Sequence, residues 1–360
     1  MVKTMLDYIG ESGKAIDHII DNSDRLFQGF INGCINRSFD HIYLLGSGTS
    51  YNALMGIRTV VESLLDIHVT TINPEWFIDT YPLIGPTTLV IGLSHAGQSR
   101  STIEALDYAR NKGAYTIGVT GFLDAPINDH CDICVLMDSG EESVGAKTKG
   151  FFGSMTTIVM MSALLAKAKE LINSKTVDDL KARLHQCASM INENLSTSLQ
   201  WFDHYQSQLT KYRRIIVTGY DGNIGALLEG TLKLVEGCRY SVVGYDQEEF
   251  MHGIYHSIDD KTLMIYLASR GRGYQRAVNL CEYIDQKHHN ASIFITSKMY
   301  DGSAMPLMIK SHEDPWFKSF DYVVPLQVIA HQLSKAIGIN ANTSSDPNFH
   351  ATMGSYVSNH

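Results

Sequence analysis

Two loops rich in small and hydroxyl-bearing residues are the parts of this sequence best suited to chemistry. Ser94-His-Ala-Gly-Gln-Ser-Arg-Ser-Thr102 follows an apolar run and precedes a helical pattern. Small residues let the backbone approach an anion closely, and a helix N-terminus offers free N–H groups and a partial positive charge. The hydroxyls of Ser94 and Ser99 can add hydrogen bonds, so the segment suits a phosphate; Ser and Thr also cap helices that bind nothing. The other loop is Gly46-Ser-Gly-Thr-Ser-Tyr51. It has the first two glycines of the dinucleotide fingerprint and lacks the third. Asp66, about 20 residues further on, ends a helical pattern and not a second strand. A sugar contact by Thr49 and Ser50 fits better than a nicotinamide cofactor.

Two further clusters weigh against a metal. His252 and His256 are spaced i,i+4 just after Glu248-Glu249, but the intervening Gly253 makes this a loop and not an HExxH helix. Cys131-Asp-Ile-Cys134 has CxxC spacing with no second pair after it. Read as a buried strand, it points the two thiols to opposite faces. No metal and no cofactor is expected.

These loops sit in a sequence that repeats itself. Ile42-Tyr-Leu-Leu-Gly-Ser-Gly and Ile215-Ile-Val-Thr-Gly-Tyr-Asp-Gly222 are both apolar runs ending in small residues, each followed by a helical pattern. Thr88-Leu-Val-Ile-Gly-Leu-Ser94 is matched by Thr262-Leu-Met-Ile-Tyr-Leu-Ala-Ser269, 174 positions later. Each copy adds a third predicted strand (114–120 and 291–296) and a fourth (131–137 and 322–326). Strands alternating with helices predict parallel sheets covered on both faces. The expected fold is therefore α/β, with two tandem doubly wound parallel-sheet domains. The predicted boundaries are helices over 1–35, a first domain over 36–170, a helical linker over 171–205, a second domain over 206–340 and a tail over 341–360. Ligands of such sheets bind beyond the carboxyl ends of the strands, where both loops of the first half lie.

The bulk properties agree. The chain has 360 residues, enough for two cores, and is 44% hydrophobic. A net charge of −9 without a basic block makes nucleic acid an unsuitable partner. No apolar leader follows Met1, and the run 157–166 is too short to span a bilayer, so a cytoplasmic protein without membrane association is expected.

Taken in order, Gly46-Ser-Gly-Thr-Ser50, Leu93-Ser-His-Ala-Gly-Gln-Ser99 and Gly140-Glu-Glu-Ser-Val-Gly-Ala-Lys-Thr-Lys-Gly150 resemble the sugar isomerase (SIS) domain family. The resemblance runs from about residue 36 to 340. It is similar to the isomerase half of glucosamine-6-phosphate synthase and to deglycases that cleave fructosamine- or glucoselysine-type 6-phosphates. In the second half, Glu229-Gly-Thr-Leu-Lys-Leu-Val-Glu236 and Glu249-Phe-Met-His-Gly253 resemble that family's E-G-x-L-K-x-x-E and E-x-x-H-G motifs.

The resemblance implies a catalytic glutamate at Glu236, its neighbouring lysine at Lys233 and a ring-opening histidine at His252. It places the phosphate loop on Ser94, His95, Ala96 and Ser99, and sugar contacts on Gly48, Thr49, Ser50 and Gly145. There are departures. His95 stands where the synthase has glutamine, Ala96 where it has serine, and Lys147 where it has serine. The segment Asp346–Tyr356 holds no counterpart of the synthase's C-terminal lysine. No glutamine-hydrolysing domain is recognised, so ammonia from glutamine is not expected. Lys147 suits a substituent on the sugar and tilts the expectation toward deglycation. The family also implies a homodimer in which the histidine reaches the neighbouring site.

Proton exchange between adjacent sugar carbons needs one base near both, and a glutamate in an apolar or crowded setting suits it. Lys233, one turn away, could steady the enediolate; read alone, the two form an i,i+3 surface ion pair. A histidine can protonate the ring oxygen near neutral pH; read alone, His252 is a structural residue. The expected partner is a small sugar phosphate. An aldose–ketose isomerase, an amino-sugar 6-phosphate deaminase and a non-catalytic sugar-phosphate sensor remain alternatives to the deglycase.

Overall fold

A computed structural model describes residues 3–80 and 83–357. The chain divides into two compact units. One holds residues 14–142, 149–185 and the segment from Ser345; the other holds the chain up to Gly13, 143–148 and 186–344.

In the first unit five strands form one parallel sheet: β1 (His41–Leu45), β2 (His68–Ile72), β3 (Thr88–Leu93), β4 (Tyr115–Thr120) and β5 (Ile133–Leu136), in the order β2-β1-β3-β4-β5. The register sets Ile42 opposite both Val69 and Leu89. All six residues of the central strand β3 are buried, as a strand covered by helices on both faces requires. The second unit repeats this wiring with β6 (Arg214–Gly219), β7 (Ser241–Asp246), β8 (Thr262–Leu267), β9 (Ser292–Thr296) and β10 (Met305–Met308), in the order β7-β6-β8-β9-β10. Each half is a doubly wound parallel sheet, as expected. In both sheets the chain order reverses between the first and third strands of the copy, the switch point where such folds open a crevice.

Several local expectations are corrected. Residues 322–326 are not a strand; they lie in the helix Lys318–Ala336, and the fifth strand of that sheet is β10. This helix is buried from Lys318 through Ile329, so its apolar run has no polar face to betray a helical period. The edge strands β2 and β7 carried too little apolar pattern to be foreseen. Cys131 precedes β5 instead of lying in it; its thiol donates to Ile127 O (3.4 Å), and the Cys134 thiol donates to Asn128 Oδ1 (2.6 Å). The run 157–166 belongs to a 20-residue helix, Lys149–Ala168, whose length and apolarity would let it cross a membrane, but whose residues are almost all buried in the fold. Most of 171–205 lies on one 36-residue helix, Ser174–Leu209.

Candidate active site

The phosphate-loop candidate leaves β3 at Leu93 and enters the helix Arg100–Asn111. The Ser94 N–H donates to Val119 O (3.0 Å), fixing the loop to β4, and the Gly97 N–H donates back to Ser94 O (2.8 Å). This tight turn holds Gly97 at φ 66°, and a Cβ there would stand 2.3 Å from the Ala125 Cβ. Only glycine fits. The Ser94 hydroxyl accepts from the Ser99 N–H (3.4 Å), and the Ser99 hydroxyl accepts from Thr102 (3.1 Å). The His95 carbonyl accepts from the Gly121 N–H (2.9 Å), while its ring meets Phe122 edge-on with centroids 6.0 Å apart. Ala96 is half-buried beside it. Among the described residues the N–H groups of Ala96 and Gln98 have no internal acceptor. Backbone donors beside two serine hydroxyls are what an anion-binding loop needs.

The neighbouring strand β1 feeds the second loop. Gly48 sits at φ 57° and ψ −130°, a conformation suited to glycine, and the helix Thr49–Leu65 starts immediately after it. Thr49 and Ser50 are half-buried in its first turn. Because β1 and β3 are adjacent and parallel, both loops emerge at the same carboxyl edge of the sheet.

The C-terminal segment was not foreseen to touch this loop, yet it does. Ser99 and Tyr356 form an antiparallel bridge, the Arg100 N–H donates to Ser355 O (3.0 Å), and the Val357 N–H donates to Gln98 O (2.9 Å). Nothing in the composition of this segment signals such pairing.

In the other unit, Lys233 and Glu236 lie on the helix Ile224–Cys238. Gly230 brings this helix against Lys318–Ala336: a Cβ there would stand 2.0 Å from Leu326 Cδ1. Lys233 is 1% exposed; its Nζ is 2.5 Å from Glu236 Oε2 and 3.4 Å from Glu229 Oε1. Glu229 is fully buried and Glu236 is 36% exposed. The pair is therefore not a surface ion pair. A buried ammonium needs partners to offset its desolvation, and two carboxylates at i−4 and i+3 supply them. Glu229 is the participant the sequence reading did not single out; its spacing from Lys233 was the available signal. Glu236 keeps one face toward solvent.

His252 follows the short helix Gln247–Met251, whose N-terminus Asp246 caps by accepting the Glu248 N–H (2.8 Å). It is 73% exposed, and Glu248, 3.9 Å away, is its only side-chain partner among the described residues. Among the described residues no hydrogen bond or ion pair ties it to Lys233 or Glu236. Gly145 and Lys147 fall in the same unit as these three residues. The Gly145 N–H donates to Asn342 O (3.2 Å), Val144 and Ala146 pack with Met5, Tyr8 and Ala341, and Lys147 is half-buried. Among the described residues no cluster of three or more His, Cys, Asp or Glu side chains could hold a metal.

Both parallel sheets share this strand order and carry small-residue loops at their switch points. Residues 37–168 match the family model of the SIS domain, and the second unit repeats the strand order of the first. Among curated relatives, it is 24% identical to a glutamine–fructose-6-phosphate aminotransferase (isomerizing) of Encephalitozoon cuniculi, over 85% of this chain and 44% of that protein. It is 25% identical to the Aquifex aeolicus protein of the same name, over 85% of this chain and 50% of that protein. The chain thus spans about half the length of the curated relatives it matches. A crystal structure from Clostridium difficile 630, provisionally described as a phosphosugar isomerase, superposes with a TM-score of 0.89 at 27% identity, covering 99% of this chain and 100% of that one.

Proposed function

We propose that this protein is a phosphosugar isomerase of the deglycase type, acting on an aminated hexose 6-phosphate such as a fructosamine- or glucoselysine-type 6-phosphate. The observation that carries this reading is the Lys233–Glu236 pair, with a buried ammonium against a half-open carboxylate. An ion pair with only a structural task has no need of one open end. The SIS domain match and the loop between β3 and its helix support a phosphorylated substrate.

In this reading Ser94, Ser99 and the free N–H groups of Ala96 and Gln98 hold the phosphate, while His95 lines the loop. Gly48, Thr49 and Ser50 contact the sugar, with Gly145 and Lys147 near its substituent. His252 protonates the ring oxygen as the ring opens. Glu236 takes the proton from the carbon bearing the amine and returns it to the neighbouring carbon, passing through an enediolamine. Lys233 steadies the charge on the oxygen of that intermediate, and Glu229 positions Lys233. Water then cleaves the resulting imine, giving hexose 6-phosphate and free amine. The protein works in the cytoplasm, as a homodimer and without a metal.

The test is incubation of the purified chain, with EDTA present, with a panel of amine-substituted hexose 6-phosphates. Release of hexose 6-phosphate together with free amine is expected. Aldose–ketose exchange without amine release would assign a plain isomerase, release of ammonia from an amino sugar 6-phosphate would assign a deaminase, and no turnover of any member would refute the enzymatic reading.

A further inference from the structure

The second sheet has its own crevice at its switch point, and it holds a cavity of about 550 Å³. Tyr220 and Asp221 follow β6, Arg272, Gly273 and Arg276 follow β8, and Asp246 ends β7 with Gln247 and Glu248 after it. The strand β8 and the helix Tyr274–His288 begin 174 positions after β3 and the helix Arg100–Asn111, with a six-residue loop between strand and helix in each case. The duplication therefore sets Ala268-Ser-Arg-Gly-Arg-Gly273 where the first unit has Ser94-His-Ala-Gly-Gln-Ser99. Gly97 and Gly271 coincide, and both have positive φ, 66° and 151°. In the second copy, arginines stand where the first has Ala96 and Gln98.

This crevice is built, not incidental. The Tyr220 hydroxyl donates to Ser269 O (2.5 Å), and the Asn223 amide donates to the Ser269 hydroxyl (3.0 Å). Lys318, 4% exposed, donates to Asp221 Oδ2 (2.8 Å) and to Arg270 O (2.8 Å), stapling the loops after β6 and β8 together. Gly273 lies so close to Tyr220 that a Cβ would stand 2.5 Å from its ring.

The charges leave one group unanswered. Asp221 pairs with Lys318, Glu248 pairs with Arg276 (2.8 Å), and Asp246 accepts the N–H groups that open the helix Gln247–Met251. Arg272 is exposed and has no ion pair or hydrogen bond among the described residues. A cavity whose carboxylates are all engaged, but which keeps a free guanidinium, is set for an anion, and guanidinium groups favour phosphate. Its remaining lining, Asp246 and Gln247 with Tyr220, offers hydrogen bonds to hydroxyls and a ring to cover an apolar face.

We propose that this cavity is a second ligand site, separate from the Ser94 loop, for a small phosphorylated sugar, with the phosphoryl group on Arg272 and the hydroxyls on Asp246 and Gln247. A free hexose phosphate and a nucleotide-linked sugar share this chemistry, and the cavity volume accommodates either. The site performs no proton transfer and serves recognition.

The test is calorimetry on the full chain carrying S94A and S99A, which weakens the first loop and leaves this cavity intact. Glucose 6-phosphate and uridine diphosphate glucose are the probes. At least one of them binds, R272A added to that chain weakens it by about tenfold or more, and R272K restores part of the loss. Binding of glucose 6-phosphate identifies a hexose phosphate, and binding of the nucleotide sugar alone identifies the larger ligand. The proposal is overturned if neither probe binds the S94A/S99A chain, or if R272A binds as tightly as its parent. Failure of the phosphate assignment at Ser94 reads differently: the S94A/S99A change then leaves the native titration unaltered.

Discussion

Lys233 and Asp321 are two buried ionisable groups with opposite solutions. Lys233 is met by carboxylates on both sides. Asp321, 2% exposed at the start of the helix Lys318–Ala336, has no ion pair with a cation among the described residues. Burial pushes its carboxyl from 3.8 up to about 8; a hydrogen bond with Ser311 opposes the rise, and the charges of Glu313 and Asp314 add to it. The folded protein therefore holds this proton where the unfolded chain has released it. Stability that is present below the unfolded value is lost as the pH climbs from about 4 to about 8, since over that window the unfolded state binds fewer protons. Melting followed by circular dichroism should show Tm falling between pH 5 and pH 8, by about 2–4 °C for each kcal/mol lost in a domain of this size. D321N removes the titration, and its Tm should fall less over the same range. An identical slope in the variant would mean that Asp321 does not carry the proton.

The helices Ile224–Cys238 and Lys318–Ala336 depend on glycine to meet. At Gly230 a methyl group would collide with Leu326, and at Gly237 it would stand 2.9 Å from Ala330 O. Gly230→Ala should cost about 1–3 kcal/mol through overpacking, read as a shift in the urea midpoint. It should also lower kcat, because Glu229 and Lys233 flank that position on the same helix; unchanged stability and turnover would contradict this account of the packing. The same region marks the limits of sequence reasoning. The strands β1, β3, β6 and β8 were legible because each is an apolar run closed by small residues. Tyr322–Leu326 misled because a helix buried all round shows no periodicity. His68-Val-Thr-Thr-Ile72 and Ser241-Val-Val-Gly-Tyr-Asp246 are edge strands whose half-buried polar residues hide them. Of the candidate site, the loops and the Lys233–Glu236 spacing were legible. Burial of that pair and the pairing of Ser355–Val357 with the loop were not, since both depend on contacts distant in sequence.

On the scale of the whole molecule, the duplication has let two copies of one wiring diverge. The first copy kept hydroxyls in the loop after its third strand; the second acquired arginines there and the Glu229–Lys233–Glu236 row on its first helix. His252, exposed and held only by Glu248, is the candidate catalytic group that one chain leaves unassembled. In the proposed homodimer it completes the neighbour's site. E236Q and H252A chains, each inactive alone on a cyclic substrate, should then regain partial activity when mixed and allowed to exchange subunits. Sedimentation should give twice the 40.1 kDa mass of one chain. A fully active particle of single-chain mass would rule out a shared site.

The most direct test concerns the proton itself. Glu236→Gln keeps the side chain's size and its neighbour Lys233 but removes the base. Turnover in deuterium oxide should fall at least about a hundredfold, while sugar-phosphate binding persists. Deuterium incorporation at the carbon next to the carbonyl, followed by NMR, should fall with it. Incorporation at the native rate in the E236Q chain would contradict the assignment of Glu236 as the base, and with it the centre of the proposed site.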